Sequence, residues 1–503
     1  MTTDEAGDDG LQRKVIRSVG WVVAERWGSR LLTLIVFAVL ARLIEPGAFG
    51  LIALATSITA ILQVVVDSGF AKALIQVREL GPKDASTAFW TSTGIALVLF
   101  TALFFSAPWV AGLLGAPELV PVLRILGISL PITALSQTPA ALLEREFRFK
   151  TLSVRQLIAA AAGFVVAIPV AFLGGGIWAL VCQIVATSVV GVVVLWFTVS
   201  WRPRFEFSLG ALRRLWPMGI GIMGTELLDA VQGNIDKLVI GLFFPAEVLG
   251  YYYLAQRVGM ILIELVTTVI ARVSLTTFSR LQHDLKRLNR AFRQMTFYAG
   301  VIGVLPFTLV AVFAPQLIPW AFGTGWEPSI WMLWVLAPGW GVGAIMYFDR
   351  TVLLATGNPK SAFWLAFLQN AVGIVLVFAL LPLGILGVLI SRWSRVIVWP
   401  VRLWVLKRKI NLDLAPYLLQ IGRCVAAALP VVLLVLLCQQ TGWSTAQWPM
   451  LTFVVPLGIM SVALYATTLW LIAGRANRSE MHPYIIGVRR RMIRRRASRT
   501  RPS

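Results

Sequence analysis

Two stretches decide the fold: Pro46-Gly-Ala-Phe-Gly50-Leu-Ile-Ala-Leu54-Ala55 and Pro245-Ala-Glu-Val-Leu-Gly250-Tyr-Tyr-Tyr-Leu254-Ala255. Each has a proline, then three or four residues, then Gly-x-x-x-Leu-Ala at the head of an apolar run, and Gly50 and Gly250 stand two hundred residues apart. Pro and Gly punctuate many helix connections, so one such hairpin says little. Its return after six further apolar runs predicts a duplicated body of six plus six helices. Six is even, so the halves are expected to be parallel repeats about an axis along the membrane normal.

Working outward, the composition demands lipid as the solvent. Of 503 residues, 58% are hydrophobic and only 14% charged, and mean hydropathy is +0.80. Soluble domains carry about 25% charged residues, so a soluble globular class is excluded. A helix needs about 20 apolar residues to cross the hydrocarbon core, and in lipid it must satisfy its own backbone. Such runs fall near 21–41, 48–69, 88–114, 119–142, 155–173, 176–199, 215–243, 249–273, 292–313, 329–350, 361–382, 384–404, 415–437 and 450–473. The predicted fold class is an all-α polytopic membrane protein of about 14 transmembrane helices, two six-helix lobes around a central cavity plus two C-terminal helices. The expected domains are a cytoplasmic tail (1–20), an N-lobe (21–200), a C-lobe (201–410), two appended helices (411–474) and a basic tail (475–503). The first run follows the acidic residues Asp4, Glu5, Asp8 and Asp9 and carries charges of its own, unlike a cleaved signal peptide.

The net charge of +22 is unevenly distributed. Alternate connections gather Arg13, Lys14 and Arg17, then Lys72, Arg78 and Lys83, then Arg145, Arg148, Lys150 and Arg155, and so on to the arginines from Arg475 to Arg501; the opposite side receives Arg42 alone. By the positive-inside rule both termini are cytoplasmic. The arginine-rich tail reads as a strip on anionic lipid, not a nucleic-acid arm. Trp109, Trp178, Trp320, Trp326, Trp443 and Trp448 near one set of span ends, and Trp21, Trp90, Trp201, Trp216, Trp404 and Trp470 near the other, read as interfacial anchors. Cys182, Cys424 and Cys438 lack CxxC spacing and His283 and His482 lie in polar segments, so no disulfide or metal framework is expected. No phosphate loop of the GxxxxGK[ST] kind occurs, and outer connections are short, which argues against ATP hydrolysis and against glycosyl transfer. An enzyme is therefore not expected, nor a cofactor beyond a coupling Na+ or H+.

Charges inside the spans carry the functional signal, since each costs roughly 2.5–3.5 kcal/mol at mid-bilayer. Span 1 holds Glu25, Arg26 and Arg30, and span 7 holds Glu226, Asp229, Asp236 and Lys237. Glu226, Asp229, Gly233 and Asp236 follow a 3-4-3 spacing that lays them on one stripe. Because spans 1 and 7 are equivalent by the repeat, a cationic and an acidic stripe are expected to face the central cavity. Span 8 adds Arg257 and Glu264, seven apart on one face, and Arg392 lies in span 12. Guanidinium groups grip phosphate or carboxylate and keep their charge at any pH, so an anionic amphiphile whose lipid tail stays in the bilayer suits this set. For Arg26, Arg30 and Arg257, structural pairing remains the competing reading.

The chain also resembles a known family. Glu25-Arg26-Trp-Gly-Ser-Arg30, Asp67-Ser-Gly-Phe70, Ala88-Phe-Trp90, Pro139-Ala-Ala-Leu-Leu143-Glu-Arg145 and Asn234-Ile-Asp236-Lys237-Leu-Val-Ile-Gly241, together with the two hairpins, are similar to Wzx-type flippases. These form the polysaccharide transporter family of the multidrug/oligosaccharidyl-lipid/polysaccharide exporter superfamily, here its colanic and teichuronic acid exporter-like branch. The resemblance covers roughly residues 10–410. It implies translocation of a polyprenyl-diphosphate-linked oligosaccharide to the outer leaflet of the bacterial cytoplasmic membrane by alternating access, with membrane lipids, a polymerase and glycosyltransferases as partners. It further implies a diphosphate site at Arg26, Arg30 and Arg257, although no span 2 arginine completes the basic set. Glu25, Glu226, Asp229, Asp236 and Glu264 would gate the lobes or bind the coupling cation. A cation-coupled drug exporter of the same superfamily and a non-transporting scaffold for glycan assembly stand as alternatives.

Overall fold

The computed structural model describes residues 33–67, 69–77, 80–81, 83–146, 148–440 and 450–472. Among them every regular element is helical, as a chain without water to satisfy its backbone requires. In order these are α1 (Thr33–Leu43), α2 (Pro46–Asp67), α3 (Phe70–Gln76), α4 (Asp84–Leu113), α5 (Leu119–Gly127), α6 (Ser129–Arg145), α7 (Phe149–Phe172) and α8 (Ile177–Thr198). There follow α9 (Leu209–Phe243), α10 (Ala246–Arg280), α11 (Leu285–Val312), α12 (Ala314–Phe322), α13 (Pro328–Ile345), α14 (Tyr347–Ala355) and α15 (Pro359–Ala379). The last are α16 (Ile385–Ser391), α17 (Ser394–Ile397), α18 (Trp399–Ile410), α19 (Leu414–Ala426), α20 (Leu429–Gln440) and α21 (Val455–Ile472).

Ten helical stretches among the described residues are long and apolar enough to cross a membrane. Of the fourteen predicted spans, the other four have physical reasons to differ. Span 1 is described only from Thr33, as the short α1. Helices α9 and α10 are 35 residues each but carry the charges quoted above. The run 384–404 is divided among α16, α17 and α18, with Gly384 at φ +69° opening α16. Phe105, Phe172 and Phe197 stand 75%, 70% and 88% exposed on α4, α7 and α8, an outward apolar surface that only lipid tolerates. The chain is a multi-pass membrane protein.

The helices form two compact units. The first draws on the described residues of Met1–Ile261, Ile318–Leu336 and Phe363–Val398. At its heart the two repeated hairpins meet. A Cβ placed on Gly50 would strike the Ala246 carbonyl, and one on Gly250 would strike the Pro46 carbonyl. This reciprocity is what a two-fold repeat axis produces, and only glycine allows two helix starts to approach so closely. Beside it Phe49 packs edge-on against Phe37 and Trp326, both at 5.3 Å between centroids. Trp326 is a correction to the sequence reading: it is buried, not interfacial. Its indole donates to the Ala41 carbonyl at 2.9 Å, and Arg42 donates to the carbonyls of Trp320 and Ala321. Those bonds satisfy helix-end carbonyls of α1 and α12 that would otherwise be orphaned. Gly69, at φ +66°, turns the chain from α2 into α3, and a Cβ there would meet the backbone of Gly219 in α9. Arg145 of α6 then closes α3 by donating to the carbonyls of Leu74 and Val77 at 2.7 and 2.6 Å.

The second unit draws on Leu262–Leu317, Ala337–Ala362 and the described residues from Trp399 onward. Helix α11 is its spine, contacting α14, α19, α20 and α21. The Asp284 carboxylate caps α11 by accepting from the Arg287 amide at 3.0 Å. Phe292 stacks on Tyr417 at 5.7 Å, and Asn289 donates to the carbonyls of Ile410 and Asn411 at 2.8 and 2.9 Å, tying down the end of α18.

Candidate functional site

The first unit contains a half-open cavity of about 250 Å³. Thr33 and Phe37 of α1, Phe49 and Ile52 of α2, Gln183, Thr187 and Ser188 of α8, and Tyr253 and Arg257 of α10 all line it. The positions follow from the hairpins. Arg257 lies seven residues, two helical turns or about 10 Å, beyond Gly250 and on the same face, so the crossing that locks the helix starts also aims Arg257 between α1, α2 and α8. Its Nε is buried and has no hydrogen-bond acceptor among the described residues. A guanidinium offers donors only, and a buried donor without an acceptor is costly to keep.

The acidic residues of α9 engage three different neighbours. Glu226 forms an ion pair with Lys72 of α3. Asp229 is exposed, with the Asn370 amide of α15 donating to it at 3.5 Å. Asp236 is fully buried; it accepts from the Tyr252 hydroxyl and from Gln256 at 3.3 Å, and faces the Arg392 guanidinium at 3.5 Å. Lys237 donates to Asn234 at 3.1 Å, one turn back on its own helix. Near the Lys72–Glu226 pair, Asp67 at the end of α2 accepts from Gln137 of α6 and from Gln63 at 3.3 Å.

Of the residues singled out in the sequence, the structure therefore seats Arg257 in the cavity and gives Glu226, Asp229 and Asp236 separate partners. Glu264 lies two turns beyond Arg257, on the stretch of α10 that belongs to the second unit. Glu25, Arg26 and Arg30 lie outside the described residues. Sequence reasoning missed Gln183, Thr187 and Ser188, whose signal was three polar residues at 4-1 spacing in an otherwise apolar span. It also missed Lys72 and Arg392 as the counterions of Glu226 and Asp236, because both pairings are remote in sequence.

Residues 39–331, more than half of the chain, match the family model described as "Polysaccharide biosynthesis protein". The chain belongs to this family. The matched region of this polysaccharide biosynthesis protein includes both hairpins, the cavity from Phe49 to Arg257 and the three acidic residues of α9. It is 28% identical to the succinoglycan biosynthesis transport protein ExoT of Rhizobium meliloti, over 71% of this chain and 72% of that one. It is likewise 28% identical to the teichuronic acid biosynthesis protein TuaB of Bacillus subtilis, over 71% and 75%. The lipopolysaccharide biosynthesis protein WzxC of Escherichia coli is 25% identical over 71% and 70%. The family anticipated from the quoted motifs is thus the one found. In fold the family member is similar to the lipid II flippase MurJ in an inward closed conformation, with a TM-score of 0.71, 14% identity and coverage of 89% of this chain and 98% of that one. It is also similar to an inward-facing multidrug resistance MATE transporter of the MOP superfamily, with a TM-score of 0.61, 15% identity and coverage of 77% and 94%.

Proposed function

We propose that this protein carries a polyprenyl-diphosphate-linked oligosaccharide from the inner to the outer leaflet of the bacterial cytoplasmic membrane by alternating access. The observation that supports it most is Arg257: among the described residues it is the one charged residue lining the cavity and its Nε has no acceptor, while the other walls are aliphatic, aromatic, hydroxyl and amide groups. Such a guanidinium binds a diphosphate bidentately, while the polyprenyl tail remains in lipid and never enters the protein. Arg26 and Arg30, one turn apart, would extend the basic surface toward the same headgroup. The relatives named for succinoglycan, teichuronic acid and lipopolysaccharide biosynthesis favour a glycan cargo. Polymerase and glycosyltransferase partners would supply and consume that cargo.

In this reading the lobes, residues 21–200 and 201–410, rock about the Gly50–Gly250 crossing, and both termini are cytoplasmic because the Lys and Arg side of the chain is retained there. The Lys72–Glu226 pair acts as a latch on that side. Asp229 with Asn370 is the candidate place for a coupling Na+ or H+, and Glu25 and Glu264 are separate candidates for gating or coupling. Asp236, neutralised by Arg392, serves packing instead. Export of cationic drugs is disfavoured because the charged group in the cavity is itself a cation. The test is complementation of a flippase-null strain. Arg257→Gln at wild-type protein level should fail to restore polysaccharide export, and full restoration would remove the diphosphate role.

A further inference from the structure

The cavity holds more chemistry than a diphosphate needs. At about 250 Å³ it falls below the roughly 300–1,000 Å³ of pockets that hold a whole drug-sized ligand, and it is half open, so it suits one fragment of a larger molecule whose remainder extends out of it. Arg257 offers donors only and selects an anionic oxygen. The wall that α8 contributes differs. The Ser188 hydroxyl donates to the Ile184 carbonyl at 3.0 Å, which commits its hydrogen and leaves it an acceptor. The Thr187 hydroxyl donates to the Gln183 carbonyl at 2.7 Å and sits where a Cβ on Gly163 of α7 would be, so a glycine at 163 lets α7 hold that turn of α8 in register. Gln183 presents an amide that both donates and accepts. Tyr253 adds a ring held edge-on by Phe37 at 6.0 Å.

A bare diphosphate is an acceptor and has nothing to give to an acceptor hydroxyl. A fragment satisfying both walls must carry anionic oxygens at one end and O–H or N–H donors, with an apolar C–H face for the ring, at the other. We propose that Gln183, Ser188 and Tyr253 form a subsite for the sugar bonded directly to the diphosphate, and so determine which glycan the protein accepts. This rests on the diphosphate reading of Arg257 and adds the group next to it. Only that first sugar is near enough to be read in a cavity of this size; the remainder of the oligosaccharide lies outside the subsite. Phosphate chemistry alone could equally come from a phospholipid headgroup or free phosphate, and neither brings a sugar.

The test uses the purified full-length chain in nanodiscs and a panel of geranyl-diphosphate probes bearing glucose, galactose, N-acetylglucosamine or no sugar. Inorganic phosphate and phosphatidylglycerol serve as competitors. At least one sugar-bearing probe should bind about tenfold more tightly than bare geranyl diphosphate, as two net hydrogen bonds allow. That ratio should fall to near one in Gln183→Ala and Ser188→Ala proteins whose melting profile is retained. Gln183→Glu, which sets a carboxylate in the same cavity as Arg257, should weaken every probe. If all sugars bind no better than the bare probe, or if the alanine variants keep the ratio, the sugar subsite is overturned while Arg257-dependent binding of the diphosphate survives. If no probe shows Arg257-dependent binding, or if phosphate or phosphatidylglycerol displaces all of them equally well, the diphosphate reading falls with it.

Discussion

Asp236 is the most consequential single charge to remove. Its carboxylate is wholly buried, receives the Tyr252 hydroxyl and the Gln256 amide, and sits 3.5 Å from an Arg392 nitrogen on a side chain about a quarter exposed. Breaking a buried pair by deleting one partner costs about 3–5 kcal/mol, because the survivor is left charged without compensation. Asp236→Asn retains the shape and an acceptor for Tyr252 but strands Arg392, so its cost is expected at the lower end, about 3 kcal/mol. Arg392→Gln strands the carboxylate instead and should cost at least as much. The double substitution leaves two neutral amides in hydrogen-bonding reach, and its loss should be well below the sum, with a coupling of roughly 2 kcal/mol or more. The assay is thermal unfolding of the four proteins in one detergent, read by size-exclusion of the surviving monodisperse fraction. Additive losses, or a negligible loss in either single variant, would refute the pairing.

Other expectations follow from the same contacts. Gly250→Ala and Gly50→Ala each force a Cβ into a backbone carbonyl that cannot rotate away. Overpacking of about 1–3 kcal/mol is expected in melting curves, whereas Gly233→Ala, with open space around it, should gain about 0.8–1.0 kcal/mol of helix propensity. Exchanging the latch charges through Lys72→Glu with Glu226→Lys should restore export lost in either single variant; a double variant as inactive as the singles would remove the latch. Trp326→Phe deletes the bond to the Ala41 carbonyl at about 1–3 kcal/mol for the stranded acceptor, and an unchanged melting temperature would show that bond to be idle.

How much of this was legible beforehand depended on whether the signal was local. The hairpins were readable because proline and glycine impose themselves on a few neighbouring residues, and the duplicated glycines announced a symmetry that Gly50 and Gly250 then realise in contact. The stripe of Glu226, Asp229 and Asp236 was readable from helical spacing. Its partners were not, since Lys72, Asn370 and Arg392 are brought in by packing over distances of well over a hundred residues. Trp326 misled because an indole between apolar runs looks alike at an interface and in a core; the Ala41 carbonyl that decides the matter is 285 residues away. Thr187 and Ser188 escaped because hydroxyl groups can satisfy themselves on their own helix, which makes them cheap in a membrane and therefore quiet in a sequence, and Gln183 escaped as a lone amide beside them. The run 384–404 shows the converse limit: apolar enough to read as one span, it is broken at Arg392–Trp393 and again at Val398, between α16, α17 and α18.

The central claim concerns what passes the Arg257 cavity, and transbilayer movement tests it directly. Proteoliposomes holding the full-length chain and a polyprenyl-diphosphate oligosaccharide would be assayed for leaflet exchange, with and without imposed proton and sodium gradients. Exchange that requires the protein, and that falls by about tenfold or more in Arg257→Gln as loss of a charge-assisted hydrogen bond implies, is the expected result. Exchange at the wild-type rate in Arg257→Gln, or export of a cationic dye with no movement of any lipid-linked glycan, would contradict it.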